Sequence, residues 1–234
     1  METICKFNIK SKILYNVLKR LQTNHNNVLC ISKDGLLFSS SNSSIVLYTD
    51  ILENYIYNNT AYLCYYINNT SVYTYLSRKD TVSINASITI EGDNHTLSFE
   101  SENIKHNIQL PVYNEHEHTN RPIVSWIDDP KTTIVIHEIK ILNKLIKQRN
   151  FLHISTIYGS IHIGGVTDYV ILDKEHRGEN INVEISSIKY LKKVFPIYSE
   201  YCIFNFDIEN TKVDIVFIEY KVVYKYKVNC YTNQ

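Results

Sequence analysis

The amino-acid sequence predicts an α+β fold, with antiparallel sheets and with helices gathered on one face. Three observations lead to this prediction. Segments such as residues 82–85 and 213–216 alternate apolar and polar side chains, as half-buried antiparallel strands do. Four short segments instead carry apolar residues with the period of an amphipathic helix. The two halves of the chain also repeat the same order of strands and helices.

The repeat is clearest at the start of each half. Residues 7–39 contain a strand (FNIK), a helix (SKILYNVLKRL) and a strand pair around Gly35, while residues 134–164 contain IVIH, EIKILNKLIKQR and a strand pair around Gly159. A second unit follows in each half, with a helix at NNTSVYTYLSRK in the first and at SIKYLKKVF in the second. The sequence therefore predicts helices beginning near residues 11, 69, 138 and 187, in two tandem domains of two β-α-β-β-β units each.

Residues 111–131 separate the two halves. This segment holds three of the four prolines of the chain and loses the periodicity seen on either side. Such a segment is typical of a linker. The predicted organisation is therefore an N-terminal domain over 1–110, an interdomain connector over 111–131 and a C-terminal domain over 132–234.

Each predicted helix has one apolar face. The apolar positions are Ile13, Leu14, Val17, Leu18 and Leu21 in the first helix, Tyr73 and Leu76 in the weaker second, Ile139, Leu142, Leu145 and Ile146 in the third, and Ile188, Leu191 and Phe195 in the fourth. The opposite faces are basic, and no acidic residue stands three or four positions away within a helix to neutralise them.

The basic residues are concentrated in these helices although the formal net charge is zero. The segments 10–22, 67–79, 139–149 and 186–195 hold 13 of the 24 Lys and Arg and no Asp or Glu, so that the rest of the chain has 11 basic and 24 acidic residues. A protein that separates its charges in this way is suited to a polyanionic partner.

Motifs of catalysis are missing from the sequence. It contains no GxxxxGK[ST], GxGxxG, HExxH or GxSxG, and Gly164-Gly165 stands at a strand end without the context of a phosphate loop. Residues 115–118 (Glu-His-Glu-His) are the one metal-like cluster, and a polar connector explains them better than a site that needs three or four converging ligands. We therefore expect neither an enzyme nor a metal or cofactor.

The cysteines and the hydropathy pattern indicate a protein that is not secreted. Five scattered cysteines without CxxC spacing predict reduced, mostly buried thiols. The N-terminus has no apolar signal-peptide core, and no run reaches the roughly 18 apolar residues that span a bilayer.

Two segments carry a resemblance to a known family. Residues 27–51 (NVLCISKDGLLFSSSNSSIVLYTDI) and 188–208 (IKYLKKVFPIYSEYCIFNFDI), within the repeat that spans nearly the whole chain, are similar to the DNA sliding clamps of the proliferating cell nuclear antigen (PCNA) family. The richness in Tyr, Ile, Asn and Lys is typical of AT-rich coding sequence and would fit a viral member.

The resemblance implies a ring of three two-domain subunits, with sheets outside and helices lining a hole that encloses double-stranded DNA. Such a clamp is a processivity factor that tethers DNA polymerase and other replication proteins, at a nuclear or cytoplasmic site of DNA replication or in a viral replication compartment. The residues expected to face the duplex are Lys12, Lys19, Arg20, Arg78, Lys79, Lys140, Lys144, Lys147, Arg149, Lys189, Lys192 and Lys193.

Clamps of this family also bind partner peptides in a pocket under the connector. The pocket residues that the resemblance implies are Ile45, Val46, Tyr48, Val112, Ile123, Trp126, Pro196, Val228 and Tyr231. Two other functions stay open at this point. One is a monomeric or dimeric DNA-binding accessory or viral transcription factor with the clamp fold, and the other is a scaffold whose basic helices contact RNA or an acidic protein.

Overall fold

The computed structural model describes the chain apart from residues 22–26, 41, 61, 69–71, 73–75, 77–82, 102–103, 114–126, 128, 158–159, 173–174, 187, 189–190, 197, 220 and 233–234. It divides into two compact units, unit 1 over Met1–Val124 and unit 2 over Ser125–Gln234.

Unit 1 contains nine strands and one helix within its described residues. They are β1 (Glu2–Lys10), α1 (Ser11–Arg20), β2 (Asn27–Ser32), β3 (Gly35–Ser39), β4 (Ser43–Tyr48), β5 (Glu53–Tyr57), β6 (Leu63–Ile67), β7 (Ser83–Glu91), β8 (Asn94–Ser101) and β9 (Ile104–Gln109). The strands pair antiparallel in the orders β5-β1-β7-β8-β9 and β6-β2-β3-β4. Just after β9, Val112 forms an antiparallel bridge with Tyr65 of β6 and so connects the two sets.

Unit 2 follows the same plan. Its elements are β10 (Thr132–Ile136), α2 (Ile139–Gln148), β11 (Leu152–Ile157), β12 (Ser160–Gly164), β13 (Tyr169–Leu172), β14 (Glu175–Gly178), β15 (Asn182–Ile185), α3 (Leu191–Val194), β16 (Cys202–Asp207), β17 (Lys212–Glu219) and β18 (Val222–Thr232). The pairing order is β14-β10-β16-β17-β18-β15-β11-β12-β13, antiparallel throughout.

The two pairing orders are equivalent strand for strand. β18 pairs with β17 over residues 222–229 and then with β15 over 230–232, in the way that β9 and Val112 contact β8 and then β6 in unit 1. The internal repeat predicted from the sequence is therefore confirmed, as is the α+β class.

The apolar faces of the helices are buried as predicted. Leu14, Val17 and Leu18 are buried on α1, Leu21 directly after it is also buried, and Ile13 is half-buried. On α2, Ile139, Leu142, Leu145 and Ile146 are buried. In the fourth predicted helix, α3 is one turn long, and the bonds from Lys192 N to Ile188 O and from Phe195 N to Leu191 O show helical geometry on either side. Most residues of the predicted second helix, 68–79, lie outside the described part of the chain. Of its described residues, Val72 and Leu76 are buried and Asn68 is exposed.

The expectation that all cysteines are reduced is wrong for one pair. Cys30 of β2 and Cys64 of β6 are directly opposite in register and are joined by a disulfide. Direct cross-strand positions bring two β-carbons within the range that a disulfide needs, and this adjacency cannot be seen from cysteines 34 residues apart in sequence. Cys5, Cys202 and Cys230 are free and buried, and burial raises the pKa of Cys5 to about 12 and of Cys230 to about 11.

Among the described residues, none of the helices has the length and hydrophobicity of a membrane span.

Candidate nucleic-acid interface

The basic face of α2 is an uninterrupted stripe of exposed lysines. Lys140, Lys144 and Lys147 are spaced i, i+4 and i+7, which places them on one side of the helix, and all three are exposed. The opposite side holds the buried apolar residues of α2. In the part of the chain that the structure describes, no salt bridge connects these lysines to a carboxylate. Their positive charge is therefore available to an external anion.

The second helical segment of unit 2 packs against α2. α2 and α3 contact each other, and Lys192 of α3 is half-buried. The other two predicted DNA-binding residues of this segment cannot be placed, because Lys189 and the side chain of Lys193 lie outside the described residues.

In unit 1, α1 presents its own basic end. Lys12 and Lys19 are exposed, and Arg20 is half-buried. The ammonium of Lys19 lies 5.6 Å from the centre of the Tyr15 ring, a cation–π contact that leaves the charge at the surface. Lys19 and Arg20 occupy the last turn of α1, where positive charge interacts favourably with the helix dipole. Arg78 and Lys79 are outside the described residues.

Arg149 has a different environment from the lysines. It follows α2 directly, and its guanidinium binds Asp168 through Nη1 to Oδ1 at 3.2 Å, through Nη2 to the backbone O at 3.1 Å, and through a close contact of Nη2 with Oδ2. The side chain is 22% exposed. Within the described residues, Arg149 is thus paired with a carboxylate of its own chain, unlike the three lysines of the stripe.

The residues predicted for a partner pocket differ widely in exposure. In unit 1, Ile45 is fully buried and Val46 is half-buried, whereas Tyr48 is 45% and Val112 54% exposed. Ile45 faces the core because side chains alternate along β4, so it presents no surface to a peptide. In unit 2, Pro196 and Val228 are buried and Tyr231 is 50% exposed. Ile123 and Trp126 lie outside the described residues.

A second apolar cluster in unit 1 was not predicted. Val28, Cys30 and Tyr113 are buried together, and Leu37, Cys64 and Tyr66 pack against them. Leu37 is directly opposite Val46 in register, so Val46 shares the face of the sheet that carries the cluster. The segment after β9 packs on this face, where Tyr113 donates its N–H to Cys64 O at 2.9 Å and its ring lies edge-on to Tyr66 at 5.2 Å.

The sequence signal for this cluster was ambiguous. β2 (NVLCIS) is buried at nearly every position, on both faces of the sheet, so its residues show no alternation that could assign them to one face.

The other end of the predicted connector is attached to unit 2. The backbone N–H of Ile127 donates to Asp214 Oδ2 at 2.6 Å, and Asp214 is buried on β17 with Lys227 Nζ 3.3 Å from its Oδ1. Burial raises the pKa of Asp214, while the Ile127 hydrogen bond and the charge of Lys227 act in the opposite direction.

Each unit also has an open concavity on one face of its sheet. One, of about 810 Å³, lies in unit 2 on the face of β11, β12 and β15 that carries His153, His162 and Glu184. The other, of about 1000 Å³, lies in unit 1 and is lined mainly by polar side chains, among them Asn, Ser and Thr residues of β1, β7 and β8. The described residues contain no group of three or more His, Cys, Asp or Glu arranged to hold a metal ion, and residues 115–118 lie outside them.

Comparison with known proteins identifies the fold. No protein-family model and no curated protein sequence matches the chain. PCNA from Entamoeba histolytica superimposes with a TM-score of 0.70 at 12% identity, covering 98% of this chain and 99% of that one. PCNA from A. fulgidus, solved with the C-terminal region of FEN-1 bound, gives a TM-score of 0.72 at 13% identity with the same coverage of both chains. The chain therefore has the PCNA-like clamp fold over nearly its whole length.

Proposed function

We propose that this chain is a DNA sliding clamp, a processivity factor that encloses duplex DNA and tethers a DNA polymerase and other replication proteins. The observation that carries the proposal is the exposed lysine stripe of α2 on a chain with the clamp fold. Similarity to solved clamp structures does not by itself establish the function of this chain. The exposed positive charge of its own helices favours a function that involves DNA.

Lysines suit a surface along which DNA slides. An ammonium on a flexible stem contacts phosphates without reading bases, and each contact exchanges with counterions at little cost. Lys140, Lys144 and Lys147 in unit 2, with Lys12 and Lys19 in unit 1, would supply such contacts. Since they belong to equivalent helices of an internal repeat, a ring of copies would repeat them around the duplex.

Three copies would form the ring, joined through open strand edges. Among the described residues, β13 pairs with β12 alone, and its side chains Tyr169 and Ile171 are 47% and 59% exposed. An apolar strand edge left open invites pairing with another chain, and closed symmetric assembly covers it. We propose that β13 is one of the two edges that meet in each interface.

Partner proteins would dock on unit 1 near the start of the connector, which we propose spans residues 111–131. Tyr48 and Val112 supply exposed apolar surface there, and Val46 lies on the same sheet face as the apolar cluster. The A. fulgidus clamp is bound by the C-terminal region of FEN-1, and we propose that this chain likewise binds a short peptide segment of its partners.

The experiment is the mass of the native protein in solution by size-exclusion chromatography with light scattering. The proposal expects a particle near three times the chain mass of 27.4 kDa. A monomer at all accessible concentrations would contradict the ring and favour an accessory factor that binds DNA by its basic face alone.

A further inference from the structure

The end of the basic helix α2 is tied to the loop that leads into strand β13. Arg149, the residue that follows α2, binds Asp168, the residue that precedes β13, through both carboxylate oxygens and the backbone carbonyl. We name this contact the Arg149–Asp168 clasp. A guanidinium that engages a carboxylate with two nitrogens fixes the geometry of both groups, which a single point contact does not.

Gly164 and Gly165 make room for the clasp. Gly164 has φ +151°, and a β-carbon there would lie 2.7 Å from Asp168 O and 2.9 Å from Tyr169 Cα. A β-carbon on Gly165 would overlap Asp168 Oδ1 and lie 2.6 Å from Arg149 Nη1. The N–H of Gly165 also donates to Asp168 O at 2.9 Å and closes the loop. The presence of glycine at both positions, which have no phosphate-loop context, is therefore explained by the lack of space for a side chain beside the clasp.

The clasp is asymmetric in exposure. The side chain of Arg149 is 22% exposed and that of Asp168 is 71% exposed. Packing holds the arginine, so it acts as the fixed part to which the loop is attached. The guanidinium also lowers the pKa of Asp168 by hydrogen bonding, so the carboxylate stays ionised at neutral pH.

What the clasp holds is the start of an edge strand. Asp168 is adjacent to Tyr169, and β13 is four residues long, with β12 as its one strand partner among the described residues. A strand of this length with one neighbour has few hydrogen bonds of its own, so its position depends on how its ends are fixed.

We propose that Arg149 is a positioning residue for self-assembly: through Asp168 it holds β13 in the conformation in which that edge pairs with a second copy of this chain. The inference rests on the proposed function, since it concerns the interface that would close the ring. It also connects two parts of that function, because the helix that carries the phosphate-binding lysines and the strand that joins subunits share one fixed point.

Three variants of the full chain test the clasp in different ways. Arg149→Ala removes the guanidinium, Gly165→Ala displaces the clasp sterically without changing any charge, and the exchanged pair Arg149→Asp with Asp168→Arg restores opposite charges. Arg177→Ala, an exposed arginine on the opposite edge strand β14, is the matched control. The measurements are the concentration dependence of mass by sedimentation velocity and amide hydrogen exchange of residues 169–172.

Arg149→Ala and Gly165→Ala are expected to raise the dissociation constant of the assembly by about tenfold or more and to speed exchange in β13 by a similar factor, as loss of a charge-assisted bidentate contact predicts. The exchanged pair should recover part of both losses, and Arg177→Ala should match the wild type. If the wild type assembles but the clasp variants show normal assembly and normal amide hydrogen exchange, the inference is overturned and the proposed function stands. A monomeric wild type would overturn the proposed function and the assembly role together, whereas unchanged exchange in the variants would overturn the clasp itself.

Discussion

Ile127 and Asp214 are 87 residues apart in sequence, and the backbone N–H of the first donates to the Oδ2 of the second at 2.6 Å. Asp214 is 2% exposed on β17, and the cation opposite it in register is Lys227. This hydrogen bond attaches the last part of the predicted connector to unit 2. Asp214 therefore fixes the backbone at Ile127, near the end of the segment that we propose is the connector, residues 111–131.

The ionisation of Asp214 gives a pH dependence with a definite sign. Burial raises its pKa in the folded protein above the value of about 3.9 for an unfolded aspartate. The folded state then binds the proton more tightly, so this group stabilises fully below the unfolded pKa and its contribution falls as pH rises through the folded pKa. We expect the unfolding free energy of the wild type, relative to that of Asp214→Asn, to decrease as pH rises from about 3.5 to 7.

Urea titrations of both proteins at several pH values measure this difference. A difference that grows with pH would mean that Lys227 and the Ile127 hydrogen bond outweigh burial and lower the pKa. Amide exchange at Ile127 provides the local control, because it should speed up in Asp214→Ala, which removes the acceptor, and change less in Asp214→Asn, which keeps one.

The lysine stripe should carry a measurable part of DNA binding. Replacing Lys140, Lys144 and Lys147 together by Glu should weaken association by about tenfold or more at low salt. It should also reduce the slope of log K against log salt by roughly 3, since each phosphate contact contributes about 0.9. Fluorescence anisotropy with duplex DNA over a salt series measures both quantities.

The matched control changes three exposed lysines of unit 1 strands and turns, Lys6, Lys33 and Lys105, to Glu. It alters the net charge of the chain equally but touches no helix. Equal losses in the two triple variants would show a general charge effect and contradict the assignment of the α2 face.

The β13 edge should tolerate a charge in the folded subunit but not in the assembly. Ile171 is 59% exposed, so Ile171→Asp should change the unfolding free energy by no more than about 0.5 kcal/mol. If β13 meets another copy, the same change buries an unpaired carboxylate and should dissociate the oligomer. Ile56→Asp on β5, where the isoleucine is 49% exposed, is the control. Light scattering that finds both variants fully assembled would rule out β13 as an interface.

The Cys30–Cys64 disulfide should stabilise unit 1. It closes a loop of 34 residues, and a cross-link of that span restricts the unfolded chain enough to add about 2–4 kcal/mol. Reducing agent should lower the unfolding free energy of the wild type by that amount and leave Cys64→Ser unchanged. Counting of reactive thiols in the denatured, unreduced protein should give three, for Cys5, Cys202 and Cys230. Five reactive thiols would contradict the disulfide.

Strongly periodic segments could be predicted from the sequence. The helix expected from residue 138 is α2, Ile139–Gln148, and its buried residues are the four apolar residues predicted, because one face of ten residues leaves little choice of rotation. The internal repeat could also be predicted from the sequence, because equivalent strands must place apolar residues at equivalent positions to form equivalent sheets.

Short edge strands were not predictable in the same way. β13 (YVIL) and β14 (EHRG) have four residues each, too few for either period to be recognised, and tertiary pairing alone makes them strands. Side-chain partners were also inaccessible. Arg149 continues the basic run of α2 in sequence, yet it binds Asp168, because the loop between β12 and β13 returns past the end of the helix. The charge of a side chain is known from the sequence, whereas its ion-pair partner is known only from the fold.

Encirclement itself can be measured without any loading factor. A duplex attached to a surface at one end is incubated with the protein so that rings thread over the free end, and that end is then capped with a bulky protein. A closed ring should stay on the DNA through a wash at raised salt while both ends are closed, and should leave when a restriction enzyme cuts the duplex, because topological retention survives the screening that removes surface contacts. Loss in the wash from capped and uncapped DNA alike would contradict a closed ring around DNA.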